Sequence, residues 1–255
     1  MAYKLKNSWA YGQLSYYLLK SLVRNLLLLS VLLAAAKLHA DDTVKLCVGE
    51  SPPYFSQDLD GGGPLVKAVR QVFERAGIST TVTYAPWARL FRMGQEGRCM
   101  IVGIWRDDKR DRLFNYSTKP LVIQQLGLYR KRNNFIDIKS VLLGVERGSY
   151  ISPKVVKPHW QLFENTTHLQ TLRLLKVGRV DLAYGDMSTF EYLISNSADL
   201  KGELEQYTLS VENKGAYLAA SKLSTHLNLL MDFFNKEFSL MLEDGSYQEI
   251  FLKPT

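Results

Sequence analysis

MIVGIWRDDKRDRLFNYS, residues 100 to 117, is the stretch on which the fold of this chain turns. Met100, Ile101 and Val102 form an apolar run that ends at Gly103, and a densely charged turn follows. Beyond the turn, Arg110 stands ahead of the aromatic and hydroxyl pair Tyr116 and Ser117. The pattern is that of a buried strand whose C-terminal end opens into a loop, with a guanidinium just past the strand tip. Open α/β sheets bind ligands at that end, and a guanidinium pairs with a carboxylate through two parallel hydrogen bonds. The competing reading is an exposed charged turn behind a core strand.

Outward from this stretch the chain alternates strand and helix signals. Residues 44–48 are β-prone and run into Pro52 and Pro53, which cannot continue a strand. The DGGG of residues 60–63 is a loop signal, and Pro64 suits the first turn of a helix. Leu65, Val66, Val69, Val72 and Phe73 recur at helical spacing until Gly77. A strand over 80–84, a helix over 87–94 and a strand over 99–104 complete a β-α-β-α-β order, which predicts a parallel sheet with right-handed crossovers. An apolar strand over 121–129 feeds a connection over 127–134. A second α/β block follows, with strands over 141–145 and 180–184 and helices over 169–175 and 188–195. Residues 217–220 return as a short strand. After Ser224, a good N-cap, a last helix aligns Leu227, Leu230, Met231, Phe234, Phe238 and Met241, and Asp244 with Gly245 marks a turn.

Residues 1–40 carry Lys4, Lys6, Lys20, Arg24 and Lys37 and no acidic residue. Their apolar run over 26–36 has the length of a signal-peptide core and is too short to span a bilayer. Cleavage after Ala40 or after Ala36 is expected, with a single-span anchor as the competing reading. Removing residues 1–40 takes five of 32 basic groups, leaving 27 against 25 acidic and a net charge of +2. The basic pI therefore belongs to the targeting segment, and no nucleic-acid partner is implied. The remaining 215 residues, 255 less 40, suffice for one large or two small domains and for a soluble core. Cys47 and Cys99 are the only cysteines. They could pair in an exported protein, but strand cysteines serve more often as small buried hydrophobes, the reading preferred here. With four scattered histidines they offer no metal-ligand spacing, and neither metal nor cofactor is expected. Nucleophile-elbow, zincin, P-loop and dinucleotide motifs are absent. His159 and His168 are expected to be exposed, and Asp107 and Asp108 to join the surrounding basic residues in a solvated ion-pair network.

The opening stretch resembles the core signature of the family 3 periplasmic solute-binding proteins, the amino-acid-type receptors of ABC importers. Their pattern is G-x-T-x-T-x-x-R followed by an F-S pair. Gly103, Arg110, Tyr116 and Ser117 match in spacing, while Trp105 and Asp107 stand where that family carries threonines. GRVDLAYGD, residues 178–186, resembles the family's G-R-x-D-x-x-x-x-D, and Gly148 with Ser149 resembles its G-S/T pair. The resemblance implies an α/β, two-lobe type 2 periplasmic-binding-protein fold, each lobe a mostly parallel sheet flanked by helices. Residues 41–129 and 215–255 would form lobe 1, and residues 130–214 an inserted lobe 2, with the ligand cleft between.

On that resemblance Arg110 would take a ligand carboxylate together with Gly148 and Ser149 at a helix start, and Asp186 would take the ammonium. A buried site must match both charges, because uncompensated charge is costly to bury. Tyr54 and Trp87 would stack on the ligand, Glu50 would lie near its amine, and Tyr150 could project into the cleft. Trp105 would line the cleft from the same face as Gly103, by strand alternation, and set ligand choice. Each has a plainer reading: Asp186 as a helix N-cap, Trp87 and Trp105 as core, Gly148 and Ser149 as a turn, Glu50 as a solvated loop carboxylate. The expectation is a monomeric, non-enzymatic periplasmic receptor that closes by a hinge around a small amino-acid-like or carboxylate ligand and delivers it to an inner-membrane ABC permease. A periplasmic enzyme acting on a small carboxylate and a non-transport ligand sensor are the alternatives. With Thr255 last, no fused module is expected.

Overall fold

The polypeptide builds two three-stranded parallel blocks and stitches them together with two long antiparallel strands. The computed structural model describes residues 43 to 252, without the side chains of residues 208 to 211, so the expected signal segment lies outside the described residues. In the first block β1 (Thr43–Val48) pairs in parallel with both β2 (Ser79–Tyr84) and β3 (Met100–Trp105). Between them run α1 (Pro64–Arg75) and α2 (Trp87–Gln95). Pro64 opens α1, where a missing N–H costs nothing, and the helically spaced Leu65, Val66, Val69, Val72 and Phe73 are all buried. In the second block β6 (Leu142–Glu146) pairs in parallel with β7 (Gln161–Asn165) and β8 (Leu182–Asp186). Its helices are α3 (His168–Lys176) and α4 (Met187–Ser195).

The stitching strands are β5 (Val122–Lys131) and β9 (Leu204–Ser221), antiparallel to one another from Lys131 opposite Leu204 to Val122 opposite Ala216. Strand order is β2-β1-β3-β9-β5-β8-β6-β7, with the short β4 (Phe114–Tyr116) also against β9. The apolar core divides accordingly. One cluster joins β1 and α1 to α5 (Thr225–Glu243), through Leu227, Leu230, Met231, Phe234, Phe238 and Met241. Others gather around Leu126, Leu143, Leu182 and Tyr184, and around Leu172, Leu175 and Phe190. Ser224 caps α5 by accepting from the Leu227 amide at 3.2 Å, a contact contributing about 1 kcal/mol.

Several elements differ from expectation. The expected short strand over 217–220 is the tip of an eighteen-residue β9, whose alternating Tyr207, Leu209 and Val211 are flanked by the polar Glu205, Gln206, Glu212, Asn213 and Lys214. β5 continues through the expected connection to Lys131, and Gly127 lies inside it because a Cβ there would come within 2.9 Å of Met187. A strand, β7, and a closing helix, α6 (Ser246–Leu252), had no sequence counterpart. Cys47 and Cys99 are not free thiols: they form a disulfide. The pairing of Cys47 with Ile101 and of Leu46 with Met100 puts Cys99 just before β3, at a Cα separation of 5.8 Å, within disulfide reach. Among the described residues no helix is long and apolar enough to cross a membrane.

Candidate functional site: a pocket between the two blocks

The C-terminal ends of β1, β3 and β6 converge on one pocket. Gly49, Glu50 and Ser51 follow β1, Gly103 and Trp105 belong to β3, Glu146 ends β6, and Ser149 lies three residues on. Phe55, Trp87, Gln124 and His168 complete the lining of a small cavity of about 30 Å³. Strand ends gather functional groups in open α/β sheets because backbone register fixes where each loop leaves.

Gly103 makes room for this arrangement. Its φ is +81°, a conformation open to glycine and costly for other residues, and a Cβ there would lie 2.6 Å from the Phe55 ring. The register shifts between Val102 and Ile104, so Gly103 is a bulge, and simple alternation does not relate it to Trp105. Trp105 belongs to the buried cluster of Leu126 and Ala216 and also lines the pocket. Its indole N–H donates to Gln124 Oε1 at 2.6 Å, which fixes the amide orientation. Gln124 is 1% exposed, and its Nε2 has no hydrogen-bond partner.

Three hydrogen bonds cross the cleft. Arg110 Nη2 and Trp87 Nε1 both donate to the Gly148 carbonyl, at 2.9 and 3.1 Å, and Ser51 Oγ shares a 2.8 Å bond with Thr189 Oγ1. Arg110 is buried; its Nη1 donates to the Trp105 carbonyl at 2.7 Å and its Nε lies 3.3 Å from Asp107. Expected to take a ligand carboxylate, this guanidinium is held by three acceptors of the protein and faces an outer groove shared with Tyr150 and Lys214. The φ of +75° at Gly148 turns that carbonyl toward its two donors.

The opposite end of the pocket is acidic. Glu146, only 9% exposed, has Oε2 3.5 Å from His168 Nε2. Burial pushes the Glu146 carboxyl up to about 8, and the charge of Glu50 adds to the effect; burial also pulls His168 down to about 4. Near neutral pH the pair is therefore uncharged rather than a salt bridge. His168 Nδ1 is buried without a partner. Glu50 is half-buried and accepts from the Gln57 amide at 3.1 Å.

The remaining expected residues lie around this pocket rather than in its wall. Asp186 ends β8, is wholly buried, and caps α4 by accepting from the Thr189 amide at 2.8 Å. Its Oδ1 has no partner, and burial lifts its carboxyl to about 6. Burial, with a smaller contribution from the nearby charge of Asp186, raises the Tyr54 phenol. Tyr150 turns outward, donating to Glu212 at 3.0 Å beneath the Lys214 ammonium. Asp107 pairs with Arg110, and Arg106 pairs with Asp111 at 3.0 Å. Sequence reasoning passed over Glu146, His168, Gln124 and Phe55. His168 was expected at the surface and is buried, because β7 and the start of α3 fold the segment back onto β6. A carboxylate closing an apolar strand, as Glu146 does, was the one available signal.

No family model and no curated protein matches the chain. Solved structures do. A histidine kinase sensor domain with similarity to periplasmic binding proteins superposes with a TM-score of 0.72 at 22% identity, over 82% of this chain and 94% of that one. The substrate-binding protein of an amino acid ABC transporter gives 0.71 at 16% identity, over 82% and 96%. An arginine third transport system periplasmic binding protein from Legionella pneumophila gives 0.70 at 16%, over 83% and 98%. The chain has the two-lobe α/β fold of the periplasmic binding proteins.

Proposed function

We propose that this chain is an exported solute-binding receptor that captures a small amino-acid-like solute between two lobes and passes it to an inner-membrane ABC permease. One observation carries the reading: a pocket at the strand ends of both blocks, closed over by three hydrogen bonds that span the cleft. Residues 41–129 with 215–255 form one lobe, and residues 130–214 the other. Trp87, Trp105, Glu50, Gly103 and Ser149 contact the solute, while Arg110 and Gly148 hold the lobes shut. Asp186 and Tyr54 support the floor, and Tyr150 the outer rim. A disulfide persists in an oxidising compartment, which supports a periplasmic location, as does the basic and apolar pattern of residues 1–40. The protein works as a monomer and leaves its ligand chemically unchanged.

A second reading, a sensor that docks on a membrane partner, is favoured by the likeness to a kinase sensor domain; adjacent permease and ATPase genes would decide for transport. A thermal-shift screen of amino acids, amines and small carboxylates tests the binding role. A ligand at a hundred times its Kd adds about 2.7 kcal/mol to stability. The expected result is a clear rise in Tm with one chemical class and recovery of that ligand intact. Failure of every class to shift Tm, or conversion of the ligand, contradicts the proposal.

A further inference from the structure

We infer that the solute is an organic cation, an ammonium or guanidinium, received between Glu146 and Glu50, with Gln124 donating to a neutral oxygen of the same molecule. This rests on the receptor reading and narrows it. The pocket wall holds two carboxylates and no lysine or arginine. Arg110, the basic group that the strand-end pattern offered for a carboxylate, is satisfied by Trp105, Gly148 and Asp107. A carboxylate brought into this pocket would face the charge of Glu50 and hold Glu146 in its protonated form, with no compensating cation in the wall, and burying such a charge is costly.

The unsatisfied atoms point the same way. If His168 Nε2 carries the proton toward Glu146, Nδ1 is an acceptor, and it is buried with no donor. An acceptor beside a carboxylate is a site for N–H groups. Gln124 is the complement: its Nε2 is a donor, 99% withdrawn from solvent and unpaired at the pocket wall. Trp87, Trp105 and Phe55 line the space between, and aromatic faces attract cations without the desolvation cost of further carboxylates.

The empty site also holds a proton that a cation can displace. Glu146 is faced by Glu50 from the loop after β1 and by His168 from α3, and both burial and Glu50 favour its neutral form. The adjacent Arg147 is turned to Glu164 at 3.4 Å on the outer side. A bound cation replaces the proton, so binding releases it and strengthens as pH rises toward 8.

Calorimetry on the purified full-length mature protein tests the inference with agmatine, L-argininamide, L-arginine, L-glutamate and succinate, at pH 6.5 and 8. Argininamide, which offers a cation and a neutral carbonyl oxygen, should bind at least tenfold tighter than glutamate or succinate. Agmatine, which lacks the oxygen, should bind less tightly than argininamide, and both should bind tighter at the higher pH. Glu146→Gln should weaken the cations at least thirtyfold and keep the wild-type Tm at pH 6.5, where the native carboxyl is neutral. Tightest binding by glutamate or succinate overturns the inference and leaves the receptor reading intact. Cation binding indifferent to Glu146→Gln also overturns it. Silence of all five probes overturns the inference, and silence across the wider thermal-shift screen as well removes the receptor reading with it.

Discussion

The guanidinium of Arg110 meets the carbonyl of Gly148 across the cleft at 2.9 Å, and the Trp87 indole shares the same oxygen. A hydrogen bond from a charged donor is worth about 1.5–3 kcal/mol. Arg110→Ala should therefore weaken closure, costing about ten- to a hundredfold in affinity. The loss should be equal for ligands with and without a carboxylate, because the bond closes the lobes rather than holding the ligand. Arg110→Lys should not rescue, since an ammonium cannot reach Trp105, Gly148 and Asp107 in one plane. Calorimetry with a matched pair such as arginine and agmatine checks this: a loss confined to the carboxylate-bearing partner would return Arg110 to ligand contact.

Gly103→Ala places a Cβ 2.6 Å from the Phe55 ring at a backbone φ of +81°. The left-handed conformation alone costs about 1–2 kcal/mol, and overpacking adds about 1–3 kcal/mol. Chemical denaturation should show a loss within the sum of these, with weakened ligand binding as Phe55 is displaced. Full stability and full binding in Gly103→Ala would show that the bulge is not needed.

Stability should depend on pH in a direction set by Glu146. Its folded pKa of about 8 lies above the ordinary carboxylate value, so the folded state holds a proton the unfolded state has lost, and stability falls as pH rises toward 8. His168, lowered to about 4, and Asp186, raised to about 6, act only at lower pH. Between pH 6.5 and 8 the decline belongs to Glu146, at most about 2 kcal/mol. The Tm of the wild type should drop over this interval, and that of Glu146→Gln should stay level. Parallel curves for the two proteins would place the titration elsewhere.

The Cys47–Cys99 bridge closes a loop of 52 residues, and removing such a link costs about 2–4 kcal/mol. The double variant Cys47→Ala with Cys99→Ala should unfold at correspondingly lower denaturant while keeping its ligand preference, since neither cysteine lines the pocket. A variant of unchanged stability would mean the bridge does not form.

What the sequence carried was local. Leu65, Val66, Val69, Val72 and Phe73 announced α1 through their spacing alone, and Gly103 marked the end of the apolar run but not the bulge that breaks its alternation with Trp105. β9 was mostly missed: Tyr207, Leu209 and Val211 alternate as a strand should, but the polar Glu212, Asn213 and Lys214 separate them from the apolar tip, so the sequence does not show one continuous strand. Arg110 stood out by spacing, but its partner Gly148 lies 38 residues away on another strand end. Glu146 offered one signal, a carboxylate closing an apolar strand, and His168 none: a histidine after an exposed edge strand acquires its meaning only when β7 packs beside β6. Tertiary proximity, not residue type, makes that end of the pocket.

Closure itself is the central claim, and small-angle X-ray scattering measures it most directly. The mature protein should be recorded alone and with a saturating amount of the tightest ligand from the calorimetric panel. A ligand shifts an equilibrium between open and closed forms only by binding the closed form better. The predicted result is a smaller radius of gyration with ligand in the wild type, and a weaker contraction in Arg110→Ala. Saturated binding with an unchanged radius of gyration, in a wild type already as expanded as the variant, would contradict the account.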